Sequence, residues 1–134
     1  GFAKAIGEME GLDEISKEIL EIASLTHDIG IRNSEKKYNS SSGNYQQIEG
    51  PPEAKKLLEG LGIELSVIDR VCWLIAHHHT YTDINDNDYQ ILVEADFLVN
   101  AFEDNLPSKA ILSFKDKVFK TDSGTNMLNN MYLS

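Results

Sequence analysis

The sequence is short of cysteine, of proline and of positive charge, and it has no long apolar run. The single cysteine, Cys72, has no partner in the chain, which excludes an internal disulfide scaffold and makes a reducing cytoplasm the expected compartment. Its neighbours Val71, Trp73 and Leu74 give it the setting of a core thiol. No stretch approaches the ~20 apolar residues of a membrane helix, and no signal peptide is visible. Only 12 basic residues stand against 22 acidic ones, a net charge of −10. That surface repels polymeric nucleic acid and anionic membranes. A small phosphorylated molecule stays open as a partner if positive charge is local or comes from a metal. Nothing specifies an oligomer, and a homo-oligomer is compatible. Strand-like alternation never persists.

What is present is helical. The 134 residues, 41% of them apolar, suit one compact domain over 1–134. Phe2, Ile6 and Met9 read as the tail of a helix that is expected to begin before Gly1, and the chain does not open on Met. Gly11 ends it, and Asp13 is placed to cap the next helix. That helix carries Ile15, Ile19, Ile22 and Thr26 on one stripe and Leu20, Ala23 and His27 on the adjoining one. Residues 30 to 47, rich in Ser, Asn and Gly, predict a loop. Pro51 and Pro52 suit the first turn of a following helix, with Ala54, Leu57, Leu58 and Leu61 as its apolar face and Gly62 at its end. Ser66 and Asp69 resemble a capping box for the helix that runs into His77-His78-His79. A long helix around residues 91–99 follows, then helices near 107–119 and 126–133. The sum is an all-α chain of about six or seven helices.

Three elements carry chemistry. His27, four residues after Ala23, falls on the inward side of its helix, with Asp28 beside it where the helix stops. Neighbouring imidazole and carboxylate ligands can share one metal ion, and the pair also fits a hydrogen-bonded core His beside a solvated Asp. His78 continues the stripe Val67, Val71, Leu74, and His79 continues Ile68, Cys72, Ile75, while His77 lies on the Arg70–Trp73 side. The run also fits a polar helix end. Asp96 sits mid-helix between Ala95 and Phe97, and residues 89–102 contain no Lys or Arg. A buried carboxylate without a partner costs several kcal/mol, which a metal or His cluster would offset. A wet strip shared with Asn100 and Glu103 is the plainer alternative.

Taken together, Leu25-Thr26-His27-Asp28-Ile29-Gly30, Ile75-Ala76-His77-His78-His79 and Glu94-Ala95-Asp96-Phe97-Leu98 resemble the HD superfamily of metal-dependent phosphohydrolases, over about residues 2 to 104. The resemblance implies a helical HD-type bundle that hydrolyses phosphate esters of nucleotides and related compounds. It implies His27, Asp28 and Asp96 as ligands of a divalent ion (Fe, Mn, Mg, Ni, Co or Zn), with His78 and His79 available to a first or a second ion. Two departures stand out. The family's first ligand is a His on the preceding helix, yet residues 1–26 contain none, so that His is expected about two turns upstream of Gly1. Where two-metal members carry a His at the start of the helix after the loop, this chain has Glu49, which fits a ligand and a capping acid equally.

The implied chemistry is attack on phosphorus by metal-activated water. Asp28, His78 and His79 are the expected catalytic groups, a His off the metal protonating the leaving oxygen. Arg32, Lys36 and Lys37, with Glu35 the only acid from 29 to 47, form a local positive patch for the phosphate, or else an ordinary solvated segment. The alternative function is a catalytically weak or inactive module that binds a nucleotide or a partner, which the absent first His favours.

Overall fold

A computed structural model describes residues 1–134. Eight α-helices follow one another with no strand: α1 (Phe2–Met9), α2 (Glu14–Thr26), α3 (Ile31–Tyr38), α4 (Gly43–Gly60), α5 (Leu65–His77), α6 (Asn87–Glu103), α7 (Ser108–Val118) and α8 (Asp122–Leu128). A π-helical turn, Asn129–Leu133, closes the chain. The all-α reading holds, with slightly more helices than expected. No helix is long and apolar enough to cross a membrane.

The contacts gather into two compact units, Gly1–Leu20 with Tyr81–Ser134, and Glu21–Thr80. In the first, α1 packs on α6 and α8. Ala3, Ile6 and Leu20 are buried, as are Ile91, Leu92, Val93 and Leu98 of α6. Asp13 caps α2 as expected, its Oδ1 accepting from the Ser16 backbone N–H at 2.7 Å. That bond lowers the Asp13 pKa from its ordinary value.

In the second unit α4 lies against α5 and α3 against α4. Three expectations are corrected here. Residues 30 to 47 are not a loop, since α3 fills 31–38 and α4 opens at Gly43. Ser34, which argued for a loop, is buried and turns its hydroxyl onto the Gly30 carbonyl at 2.8 Å, satisfying itself within the helix. Pro51 and Pro52 lie inside α4, not in its first turn. Two prolines remove two N–H donors from the helix, so side-on packing must hold it together. The packing is close: a Cβ on Gly30 would fall 2.5 Å from the Gly50 nitrogen, and one on Gly50 would fall 2.6 Å from Ile75 Cγ2. Ser66 is not the cap of α5, whose N-cap is Glu64; Ser66 donates its hydroxyl to Glu64 Oε1 at 3.2 Å.

Candidate metal centre

α2 ends at Thr26, whose hydroxyl donates back to the Ile22 carbonyl at 2.7 Å. Two tight turns follow, Ile29 N–H to Thr26 O and Ile31 N–H to Asp28 O, each 3.0 Å, and they hold His27 and Asp28 between α2 and α3. The His27 Nδ1 lies 2.7 Å from the Ser24 carbonyl. A carbonyl only accepts, so Nδ1 carries the proton and the lone pair of the neutral ring sits on Nε2. That Nε2 lies 3.2 Å from Asp28 Oδ1. Two acceptors therefore face each other, an arrangement that needs either a proton on His27 or a cation between them. Ligand atoms each ~2.1 Å from one ion and about 100° apart would be ~3.2 Å from each other, so the pair fits a shared metal. The Asp28 side chain is 60% exposed and that of His27 15%, so the carboxylate reaches solvent while the ring is anchored.

The His run divides into three environments. His77 stacks on Trp73 with ring centroids 3.9 Å apart, and the Arg70 guanidinium lies over the same indole, on the side expected. His78 is fully buried, in line with the stripe Val67, Val71, Leu74. Its Nδ1 donates to the Ile75 carbonyl at 2.6 Å, which assigns the lone pair of the neutral ring to Nε2. Its ring stands edge-on to that of His27 at 5.3 Å and lies 4.0 Å from that of His79. His27, Asp28, His78 and His79 thus gather inside one unit.

His79 is held differently. The Gln46 Nε2 donates to the Ser41 carbonyl at 2.6 Å, which fixes that amide so that its Oε1 accepts from His79 Nε2 at 3.1 Å. The lone pair of a neutral His79 is consequently on Nδ1. Gln47 Oε1 accepts from the His79 backbone N–H at 2.9 Å and from the Thr80 hydroxyl at 3.0 Å. Gly43 makes this approach feasible, since a Cβ there would lie 2.8 Å from His79 Cβ and Cγ. Sequence reasoning missed Gln46 and Gln47. The run Tyr45-Gln46-Gln47-Ile48-Glu49, with no helix breaker in it, was the available signal.

Arg32 and Lys36 are exposed and four residues apart on α3, hence on one face of a helix. Lys37 is engaged elsewhere: its Nζ is 2.8 Å from Glu49 Oε1, and the Tyr38 hydroxyl donates to Glu49 Oε2 at 3.0 Å. Glu49 is buried, and the Lys37 ammonium holds its carboxyl below the ordinary glutamate range against the opposing effect of burial.

In the other unit, Asp96 is half-buried on α6 and its Oδ2 accepts from the Asn100 amide at 3.1 Å, so the plainer reading identified a real neighbour. Burial raises the Tyr81 phenol above its ordinary pKa, and the Asp96 carboxylate adds to the rise. The carboxylate wholly out of solvent on α6 is Glu94, which sequence reasoning passed over. Its Oε2 accepts from Gln90 Nε2 at 2.6 Å, Lys120 N at 2.9 Å and Thr121 N at 3.1 Å, and its Oε1 from the Thr121 hydroxyl at 2.6 Å. Glu94 is a brace for the corner between α7 and α8, made entirely of hydrogen bonds.

No curated protein and no solved structure matches the chain. The HD domain family model matches residues 1–113, most of the 134-residue chain. The chain belongs to the HD domain family.

Proposed function

We propose that this protein is a metal-dependent phosphohydrolase acting on a small phosphorylated substrate such as a nucleotide. The observation that carries the reading is the His27–Asp28 pair, in which a nitrogen lone pair and a carboxylate oxygen converge at 3.2 Å. His27 Nε2 and Asp28 Oδ1 would hold the ion, the His78 ring stands edge-on to that of His27 at 5.3 Å, and the family resemblance adds Asp96. Imidazole and carboxylate ligands without thiolate favour iron or manganese over a structural zinc. A divalent ion supplies a Lewis acid beside the phosphate and lowers the pKa of water.

The chain's own residues do the rest. The solvent-reaching Asp28 accepts the proton of the attacking water. His79, held through Nε2–H by Gln46, takes up a proton from water on Nδ1, the nitrogen that carries its lone pair, and, as imidazolium, delivers it from there to the leaving oxygen. Arg32 and Lys36, on one exposed face of α3, attract the phosphate. A second reading, a module that binds a nucleotide or partner with little turnover, is favoured by the ion pair that occupies Lys37.

The test combines elemental analysis with hydrolysis of a phosphate-ester panel, for the wild type and for His27→Gln, Asp28→Asn and Asp96→Asn. The expected result is one or two divalent ions, lost on substitution while the helical circular dichroism persists, and turnover that falls with them. A chain that holds no ion and shows no thermal shift with Mn, Fe, Co, Ni or Zn overturns the metal centre. Metal without turnover across the panel selects the binding module.

A further inference from the structure

The first unit holds a pocket of about 550 Å³, a size that suits a small organic molecule. One wall is a face of α7, on which Ala110, Ser113, Phe114, Lys117 and Val118 recur at spacings of three and four residues. Tyr81 and Thr82, on the segment before α6, form the other wall.

The lining divides into an aromatic part and a polar part. Phe114 lies flat on Phe97 with ring centroids 3.9 Å apart, and Phe119 stands edge-on to both. Tyr81 in turn stands edge-on to Phe114 at 5.1 Å. Three neighbouring rings fix Phe114, so the aromatic wall is formed before any ligand arrives. Tyr81 nonetheless remains 42% exposed. Ala110 and Val118 extend the apolar surface on either side of Phe114.

The polar part is a pair of donors. Ser113 and Lys117 are four residues apart on α7, so a hydroxyl and an ammonium are neighbours on the helix surface. Lys117 forms no ion pair within the chain, and no acid lines the pocket. Residues 105–120 carry Lys109, Lys115, Lys117 and Lys120 against Asp116 alone, in a chain of net charge −10. Local positive charge of this kind draws in anions, and two adjacent donors match the two oxygens of a carboxylate. Lys117 follows Phe114 by three residues, a rise of about 4.5 Å along the helix, which is the scale separating a ring's centre from the oxygens of an acid group attached to it.

We propose that this pocket binds a small aromatic carboxylic acid. Its ring lies against Tyr81 and Phe114, and its carboxylate is held by Ser113 and Lys117. None of these residues is a ligand of the metal centre, so the inference does not rest on the phosphohydrolase reading.

Titration of the whole chain with 2-naphthoate, followed by two-dimensional NMR, tests it. The expected result is saturable binding with a dissociation constant on the order of 0.1–1 mM and shifts centred on Thr82, Ala110, Ser113, Lys117 and Val118. Lys117→Glu should weaken binding at least about tenfold, and Ala110→Leu, which fills the pocket, should abolish it, with circular dichroism confirming that both variants fold. Binding should persist after a chelator has stripped the protein of metal. The saturated analogue decahydronaphthalene-2-carboxylate should bind several-fold more weakly, because it has no aromatic face. No saturable binding up to on the order of 10 mM overturns the proposal. So does binding that ignores Lys117→Glu or Ali110 substitution is not needed for this: binding that is lost with the metal, or a saturated acid that binds as well as the aromatic one, overturns it equally.

Discussion

The brace around Glu94 offers the sharpest test of the packing argument. Glu94 is 0% exposed and takes four hydrogen bonds, three on Oε2 and one on Oε1. Glu94→Leu keeps the volume but leaves the Lys120 N–H, the Thr121 N–H and one Gln90 N–H without their acceptor. Each buried donor so orphaned costs ~1–3 kcal/mol. Gln90 retains its second bond, to the Val118 carbonyl at 2.7 Å, and Lys120 borders solvent, so the sum lies nearer the low end. The expected loss is ~3–5 kcal/mol, a large share of the ~5–15 kcal/mol that holds a domain folded. Glu94→Gln keeps an oxygen where Oε2 stood, and its amide faces the Thr121 hydroxyl oxygen, which can accept. Its cost should be ~1–2 kcal/mol. Gly124→Ala attacks the same brace from the other side, because a Cβ there would lie 2.0 Å from Glu94 Oε1 and 2.8 Å from Thr121 Oγ1. The Gly124→Ala loss should shrink when Glu94 is already Leu, since the two residues share one contact. Urea denaturation followed by circular dichroism measures the wild type, the three single variants and the Glu94→Leu/Gly124→Ala double variant. Glu94→Leu costing less than ~1 kcal/mol, or Glu94→Gln costing as much as Glu94→Leu, would refute the assignment of stability to these bonds.

Two further predictions concern the second unit. Gly43→Ala pushes a methyl into the His79 ring, so it should break the bond between His79 and Gln46 and shift the His79 imidazole resonances in NMR, leaving those of His77 in place; an unchanged His79 spectrum would contradict the packing. Glu49 has a folded pKa below its unfolded value, so its contribution to stability is complete above the ordinary glutamate value of about 4.3 and is lost as the pH falls through the lower folded value. Glu49→Gln should therefore flatten the acid limb of melting temperature against pH in that window, and an acid limb identical to the wild type would remove the Lys37–Glu49 pair from the account.

The sequence by itself determined the helical class, because apolar residues at spacings of three and four recur from Ile6 to Leu128 while alternation does not. It determined where the chemistry had to be sought, because a stripe that buries Val67, Val71 and Leu74 must also bury the His78 that continues it, and it does. Local composition misled where non-local packing prevailed. Residues 30–47 looked like a loop from their Ser, Asn and Gly. Yet Ser34 satisfies its own hydroxyl inside α3, and Gly43 and Gly50 are small because His79 and Ile75 press against them. Prolines 51 and 52 survive within α4 because the flank of α5 lies alongside, a partner no local rule can supply. Only the tertiary structure decided the tautomer of His79, whose Nε2 meets the Gln46 amide 33 residues away, whereas His27 and His78 are set locally by the carbonyls of Ser24 and Ile75, each three residues earlier. It alone decided that Lys37 answers to Glu49 and that Glu94 is the carboxylate sealed from water. An ionisable side chain's environment is set by residues distant in sequence, and periodicity carries no record of them.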